Sequence, residues 1–299
     1  MSAPIPVLLS NIFKCNVILR KHLIASLFKR RSYSTETSSN SLVLVTKRYP
    51  LHLIGINRPE KRNCVNSETA SELKKAFENF SEDSQAKAAV LYGVGGTFCA
   101  GYDLQEVSSG NVSLSPDVGP MGPTRMLLKK PVVAAIDGFA VAGGLELALW
   151  CDLRVMEETA ILGVFCRRFG VPLIDGGTVR LPKMIGLARA LDLILTGRGV
   201  SGREAYEMGL VTKLCKKGEA FHLAVNLAQN LSDLPHEGLR IDRTSTYLNT
   251  FDAKTLKEAF KVEITNASTV LEDAAKGAQK FIKGFGRHGN KVEKTENKS

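Results

Sequence analysis

The 299-residue sequence predicts an α/β fold: a spiral of ββα units followed by a C-terminal helical region. Three observations carry this. Short apolar runs of strand length alternate with helix-period stretches between residues 42 and 200. The runs tend to come in pairs before a helix, so a strand–strand–helix rhythm recurs without a repeat of fixed sequence. From Val179 onward the strand runs give way to amphipathic helical stretches.

The elements follow in order. Leu42 to Val45 and His52 to Ile56 read as two strands, with Pro50 in the turn between them. Asn57 to Asn63 is a polar loop. Ala70, Leu73, Phe77 and Phe80 recur at helical spacing, and Glu68 suits the first turn of a helix over Ser67 to Phe80. Ala88 to Tyr92 is a buried-strand run ended by Gly93. Val107 to Thr124, rich in Ser, Gly and Pro, has no period and reads as a mobile loop or lid. Pro131 to Ile136 is a further strand, turned by Asp137 to Ala140 into a helix that contains Glu146. Leu153 to Met156 and Ala160 to Gly163 are short strands. Ser201 and Glu204 have the spacing of a capping box for a short helix ending at Gly209. Ala220 to Leu231 and Leu256 to Phe281 are long amphipathic stretches. The domain reading is therefore a spiral core over 42–200, a helical region over 201–290 and a disordered charged tail over 291–299.

A hydrophobic fraction of 44% and a charged fraction of 23% fit an ordinary soluble globular protein and exclude a disordered chain. No apolar run approaches the ~20 residues of a membrane-spanning helix, so no membrane insertion is expected. The net charge of +10 is concentrated at the start. Lys14, Arg20, Lys21, Lys29, Arg30 and Arg31 precede the first acid, Glu36. Without those six, 34 basic residues face 30 acids, a surplus too small to argue for a nucleic-acid partner. The basic, acid-free, Ser-containing segment 1–35 reads as a mitochondrial transit peptide, and so places the protein in the mitochondrial matrix. The six cysteines include no C-x-x-C pair and no nearby His at ligand spacing, so no metal site is expected. They read as reduced thiols.

Chemistry is concentrated at Gly143-Gly144-Leu145-Glu146, a glycine-rich helix start after a strand. The first amides of a helix have no partners within it and sit at the positive end of its dipole. Glycines allow a ligand oxygen to approach them. Glu146, three residues on, lies in the first turn, where a negative charge is favoured. It is expected to stay ionised and to accept a proton. A second segment, Gly95 to Leu104, places small residues and Gly101 just after a buried strand. Two such turns can aim two N–H groups at one oxygen, which makes an oxyanion hole.

Together these segments resemble the paired signatures of the enoyl-CoA hydratase/isomerase (crotonase) family. Asn57-Arg58-Pro59, Asp175 to Pro182 and Ala205 to Val211 resemble its other signatures, in the family's order, from about Val43 to His288. The resemblance implies a crotonase-like spiral and an acyl-CoA substrate. It implies the N–H groups of Tyr102 and Gly143 as the oxyanion hole and Glu146 as general acid/base. It also implies contacts to the CoA thioester around Lys61, Arg62, Ala100, Gly101, Asp103, Leu104 and Gly144. Arg287 and His288 either meet CoA phosphates or belong to a solvated tail. Homotrimers or homohexamers are expected by the same resemblance. Coenzyme A is part of the substrate, and no metal or redox cofactor is implied.

One departure matters. Hydratases of the family usually carry two glutamates, and the second falls on Cys166. A thiol with an ordinary pKa near ~8.5 is mostly protonated at neutral pH and cannot replace a carboxylate. Asp175 matches an additional catalytic Asp of the family's dienoyl-CoA isomerases; it reads equally as a helix N-cap beside Gly176. Arg167 and Arg168 either pair with Asp175 or bind an acidic acyl group. Asp103 and Asp152 are read as fixing local turns. Hydration of a 2-enoyl-CoA is the leading expectation. Double-bond isomerisation by Glu146, with or without Asp175, is the alternative. A non-catalytic acyl-CoA-binding or RNA-binding role is a third, but the helix that would meet RNA carries only Lys74 and Lys75 against three glutamates.

Overall fold

Strands β1 (Val43–Arg48) and β2 (Leu51–Ile56) form an antiparallel hairpin, with Val43 opposite Ile56 and Arg48 opposite Leu51. This is a computed structural model that describes residues 34 and 35 (backbone), 41–110 and 115–286. The expectations for residues 1–33, for Arg287 and His288 and for the tail 291–299 lie outside the described residues. The fold is that of the unit Thr35–Ser299.

Helix α1 (Ser67–Glu82) follows the hairpin. The Asn66 side chain caps it by accepting the Thr69 N–H at 3.0 Å. Strand β3 (Ala88–Gly93) pairs parallel with β2. The short α2 (Leu104–Ser108) comes next, then β4 (Val132–Ile136), β5 (Phe139–Val141) and α3 (Gly143–Trp150). Strands β6 (Leu153–Glu157) and β7 (Ile161–Gly163) lead through a 3₁₀ turn at Phe165–Phe169 to α4 (Gly177–Ile185) and α5 (Leu187–Thr196). Strand β8 (Gly199–Ser201), α6 (Gly202–Glu207) and β9 (Lys213–Cys215) complete the sheets. Helices α7 (Ala220–Asp233), α8 (His236–Phe251), α9 (Leu256–Ser268) and α10 (Leu271–Ile282) follow.

The main sheet runs β1-β2-β3-β4-β6-β9, parallel from β2 onward. A small sheet of β5, β7 and β8 stands beside it. In the units β4–β5 and β6–β7 the first strand joins the main sheet and the second joins the small one, the alternation of a ββα spiral. The inner strands β2 and β4 are buried along their whole length. Parallel strands covered on both faces need such unbroken apolar runs, which is why they were legible in the sequence. On one face lie Leu73, Phe77 and Phe80 of α1, with Trp150 edge-on to Phe77 at 4.8 Å. On the other face, Ala220, Ala224 and Ala228 let α7 come close to Leu53, Val90 and Val155.

Several expectations change. Strand β9 and helix α7 belong to the sheet layers, so the segment after residue 200 is not purely an appended helical region. The long stretch Leu256 to Phe281 is two helices, α9 and α10, broken at Thr269 and Val270. Ser201 does accept the Glu204 N–H at 3.2 Å, but the Glu204 carboxylate turns to Arg198 at 2.8 Å instead of closing the box. The second half of the proposed lid is a packed wall: Gly119, Met121, Gly122, Pro123 and Thr124 are all buried.

Candidate active site

The two glycine-containing turns lie side by side. The Cys99 N–H donates to the Phe139 carbonyl at 2.9 Å, and the Val141 N–H donates to the Cys99 carbonyl at 3.1 Å. This ladder draws Ala100, Gly101 and Tyr102 along the chain that enters α3. Gly101 has φ +102, and a Cβ there would lie 2.9 Å from Ala142 Cβ and 3.1 Å from Gly143 N. Only glycine fits such a contact without moving the backbone. Ala142 itself sits at φ 53, a conformation that costs a non-glycine residue energy and that turns the chain into α3. Neither the Tyr102 nor the Gly143 N–H donates to a backbone carbonyl among the described turns, loops and caps. Both residues line a cavity of about 260 Å³, together with Ala100, Leu104, Glu146 and Asp175.

Glu146 is 2% exposed. Its Oε1 accepts the N–H of Asp175 at 2.9 Å and of Gly177 at 2.8 Å. Burial, with the neighbouring Asp175 charge, outweighs these donors and pushes its pKa up to about 7. Glu146 is thus less ionised at neutral pH than its place in the first turn implies: the dipole favours the charge, but the loss of water is the larger effect. A carboxyl that titrates near neutrality can both accept and return a proton.

Asp175 is buried beside it. Its Oδ1 accepts the Met121 N–H at 3.0 Å and the Thr124 hydroxyl. Burial raises its pKa against the pull of those two donors. It is not the N-cap of α4: that position is Gly176, with no side-chain cap. Cys166 lines the same cavity. Burial first, and then the Glu146 charge, raise its thiol pKa further, so it stays protonated. Arg167 and Arg168 are exposed and do not reach Asp175; Arg168 lies over the Phe165 ring at 3.7 Å.

The other candidates divide. Lys61 and Arg62 are exposed, with Lys61 Nζ 3.3 Å from Gln105 Oε1. Gly144 packs against the Cys99 carbonyl and is not part of the cavity wall. Asp103 is not among the residues that line the cavity; it pairs with Arg58 at 3.1 Å and caps α2 through the Gln105 N–H. It thereby ties the start of α2 to the loop that carries Arg58. Those donors outweigh burial and lower its pKa. The pair's stabilisation is thus present above the ordinary carboxylate range and is lost as pH falls through the lowered value. Asp103→Asn should lower stability by about 1–3 kcal/mol near neutral pH, read by thermal unfolding, with the difference shrinking in acid.

Sequence reasoning missed Met121 and Thr124, which hold Asp175 from 54 and 51 residues away. It also missed Asn63, whose amide donates to the Val94 and Thr97 carbonyls at 2.9 and 2.6 Å. Its positive φ of 56 is hinted at only by the residue type.

Comparison with known proteins identifies the family. The family model described as "Enoyl-CoA hydratase/isomerase" matches residues 47–285. "Enoyl-CoA hydratase EchA19" of Mycobacterium tuberculosis is 32% identical over 80% of this chain and 92% of its own length. "Enoyl-CoA hydratase domain-containing protein 2, mitochondrial" of Bos taurus is 40% identical over 59% of this chain and 62% of that protein. A crystal structure of enoyl-CoA hydratase from Mycobacterium tuberculosis H37Rv superposes with a TM-score of 0.76 at 32% identity, over 81% of this chain and 96% of that one. In sequence and in fold the chain matches these relatives, and it is an enzyme of the enoyl-CoA hydratase/isomerase family.

Proposed function

We propose that this enzyme hydrates 2-enoyl-CoA thioesters in acyl-CoA catabolism. The observation that carries the reading is Glu146: a buried carboxyl titrating at about 7, in the first turn of the helix that presents the Gly143 amide. The thioester oxygen accepts the Tyr102 and Gly143 N–H groups. Ala100 and Leu104 flank the pantetheine arm, and the exposed Lys61 and Arg62 contact the CoA moiety. Water bonds through its oxygen to Cβ while Glu146 takes one of its protons. Negative charge moves onto the thioester oxygen, where the two amides stabilise it. Glu146 then returns the proton to Cα, so one water is added and the site regenerated. The reaction as proposed uses no metal or redox cofactor.

Asp175 supplies the second carboxyl in place of Cys166. Asp175→Asn should lower kcat by about tenfold to a thousandfold, while Cys166→Ala stays near the parent rate. Steady-state kinetics on a short 2-enoyl-CoA decides; parent rates in both variants would leave Glu146 acting alone.

One observation favours double-bond isomerisation as a second reading. The residue beside Glu146 in the cavity wall is a protonated thiol, not a second glutamate. In that reaction Glu146 removes a proton from Cγ and delivers it to Cα without water.

The basic, acid-free segment 1–35 and the mitochondrial relatives support action in the mitochondrial matrix. Exposed apolar residues recur four apart at Leu187, Leu191 and Leu195 on α5, and at Leu256, Phe260 and Ile264 on α9. Two different apolar stripes suit head-to-tail contact between copies, as in a closed homotrimer or a pair of trimers.

A further inference from the structure

Arg180 carries a charge that the fold draws partly out of water and that no carboxylate among the described residues pairs with. It lies in the first half of α4, its side chain half-buried. No ion pair within 4.0 Å joins it to an Asp or Glu among the described residues; Arg243, which lines a pocket together with it, pairs with Asp152 instead. Burial lowers its pKa, against the attraction of the Glu146 and Asp175 carboxyls. Partial desolvation of an unpaired guanidinium is costly. Such a cost beside a reactive carboxyl points to a use there.

Its contacts suggest the use. Nη1 donates to the Asp175 carbonyl at 2.9 Å, and Nη2 donates to the Thr124 carbonyl at 2.7 Å. The Asp175 carbonyl lies between the two N–H groups, of Asp175 and Gly177, that hold Glu146 Oε1. Thr124 is the residue whose hydroxyl holds Asp175 Oδ1. One planar fork therefore fixes the donors on both carboxyls. Gly176 is shaped around it: φ is +96, and a Cβ there would strike Nη1.

We propose that Arg180 is the positioning residue of the acid–base pair, clamping the turn at residues 174–177 against the wall at 123–125 so that Glu146 and Asp175 keep their alignment, while its charge favours the Glu146 carboxylate. This rests on the reading of Glu146 as the acid/base. A lysine keeps the charge but, as a point donor, cannot bridge two carbonyls in one plane; a methionine loses both.

The test uses the full chain as parent, R180K, R180M and E146Q. R180M should lose kcat by on the order of a hundredfold with KM within a few fold, the scale of a small misplacement of catalytic groups. The acid limb of its kcat/KM profile should move to higher pH, because Glu146 has lost a neighbouring cation and two fixed donors. R180K should restore the limb but only part of kcat. An activity-independent reading is the infrared carbonyl band of protonated Glu146, identified by its loss in E146Q. Its titration midpoint should be higher in R180M than in the parent. Thermal unfolding checks that each variant folds; if R180M does not, R180K carries the test through its kcat. Parent kcat in R180K overturns the proposal, and so does a parent acid limb and infrared midpoint in R180M. Full activity in E146Q would instead overturn the reading of Glu146, leaving the infrared comparison to decide on Arg180.

Discussion

Glu146→Gln should lower kcat by on the order of a hundredfold to ten-thousandfold while acyl-CoA binding persists. Glutamine keeps the volume and an oxygen that can still accept the Asp175 and Gly177 N–H groups, so the loss isolates proton transfer. Binding survives because the oxyanion donors are main-chain amides, untouched by the change. Steady-state kinetics and titration calorimetry with a non-reactive acyl-CoA check the two halves. The parent should lose kcat/KM as pH falls through about 7, where the Glu146 carboxylate takes up its proton; E146Q should lack that limb.

The same substitution has a consequence for stability. The folded pKa of Glu146 is raised from 4.5 to about 7, so the folded state binds its proton more tightly than the unfolded state. Stability from this group is fully present below the unfolded value and is lost as pH rises through the folded one. E146Q should therefore unfold at a higher temperature than the parent at pH 8, with the difference vanishing in acid. A stabilised, inactive variant is the signature of a group kept for function at a cost to the fold.

Gly101→Ala should lower kcat by about a hundredfold to a thousandfold, the effect of losing one oxyanion donor, worth ~2.7–4 kcal/mol of barrier. The added Cβ meets Ala142 Cβ at 2.9 Å and Gly143 N at 3.1 Å, and the backbone at φ +102 resists it. Relief of both strains moves the Tyr102 and Gly143 amides apart. Because the thioester oxygen carries full charge only in the transition state, kcat should fall more than KM rises. A proportional loss in both would mean that these amides bind substrate and transition state equally.

What was legible in the sequence follows from where the physics is local. The strands of the parallel sheet are continuous apolar runs because both faces are covered, and α1 announces itself through Leu73, Phe77 and Phe80. Helix α8 has no such stripe: only Ser245 is buried along it, so periodicity had nothing to report. The break between α9 and α10 escaped because no Gly or Pro marks Thr269 and Val270 while the apolar spacing runs on. At the site, the paired glycines and Glu146 were readable as a helix start facing a second tight turn. The protonation of Glu146 was not, because it depends on what packs over the carboxyl rather than on the helix that bears it. Nor could spacing show that Thr124 and Arg180 converge on Asp175, since Thr124 reaches it from 51 residues away and Arg180 grips its carbonyl rather than its carboxylate.

The most direct measurement is turnover of a short 2-enoyl-CoA by the full chain in water enriched in heavy oxygen, with the product read by mass spectrometry. The account predicts a β-hydroxyacyl-CoA carrying the heavy oxygen, formed by the parent and lost in E146Q. An unlabelled product with a shifted double bond would contradict hydration, and a thioester bound but unchanged would contradict the catalytic role of Glu146 altogether.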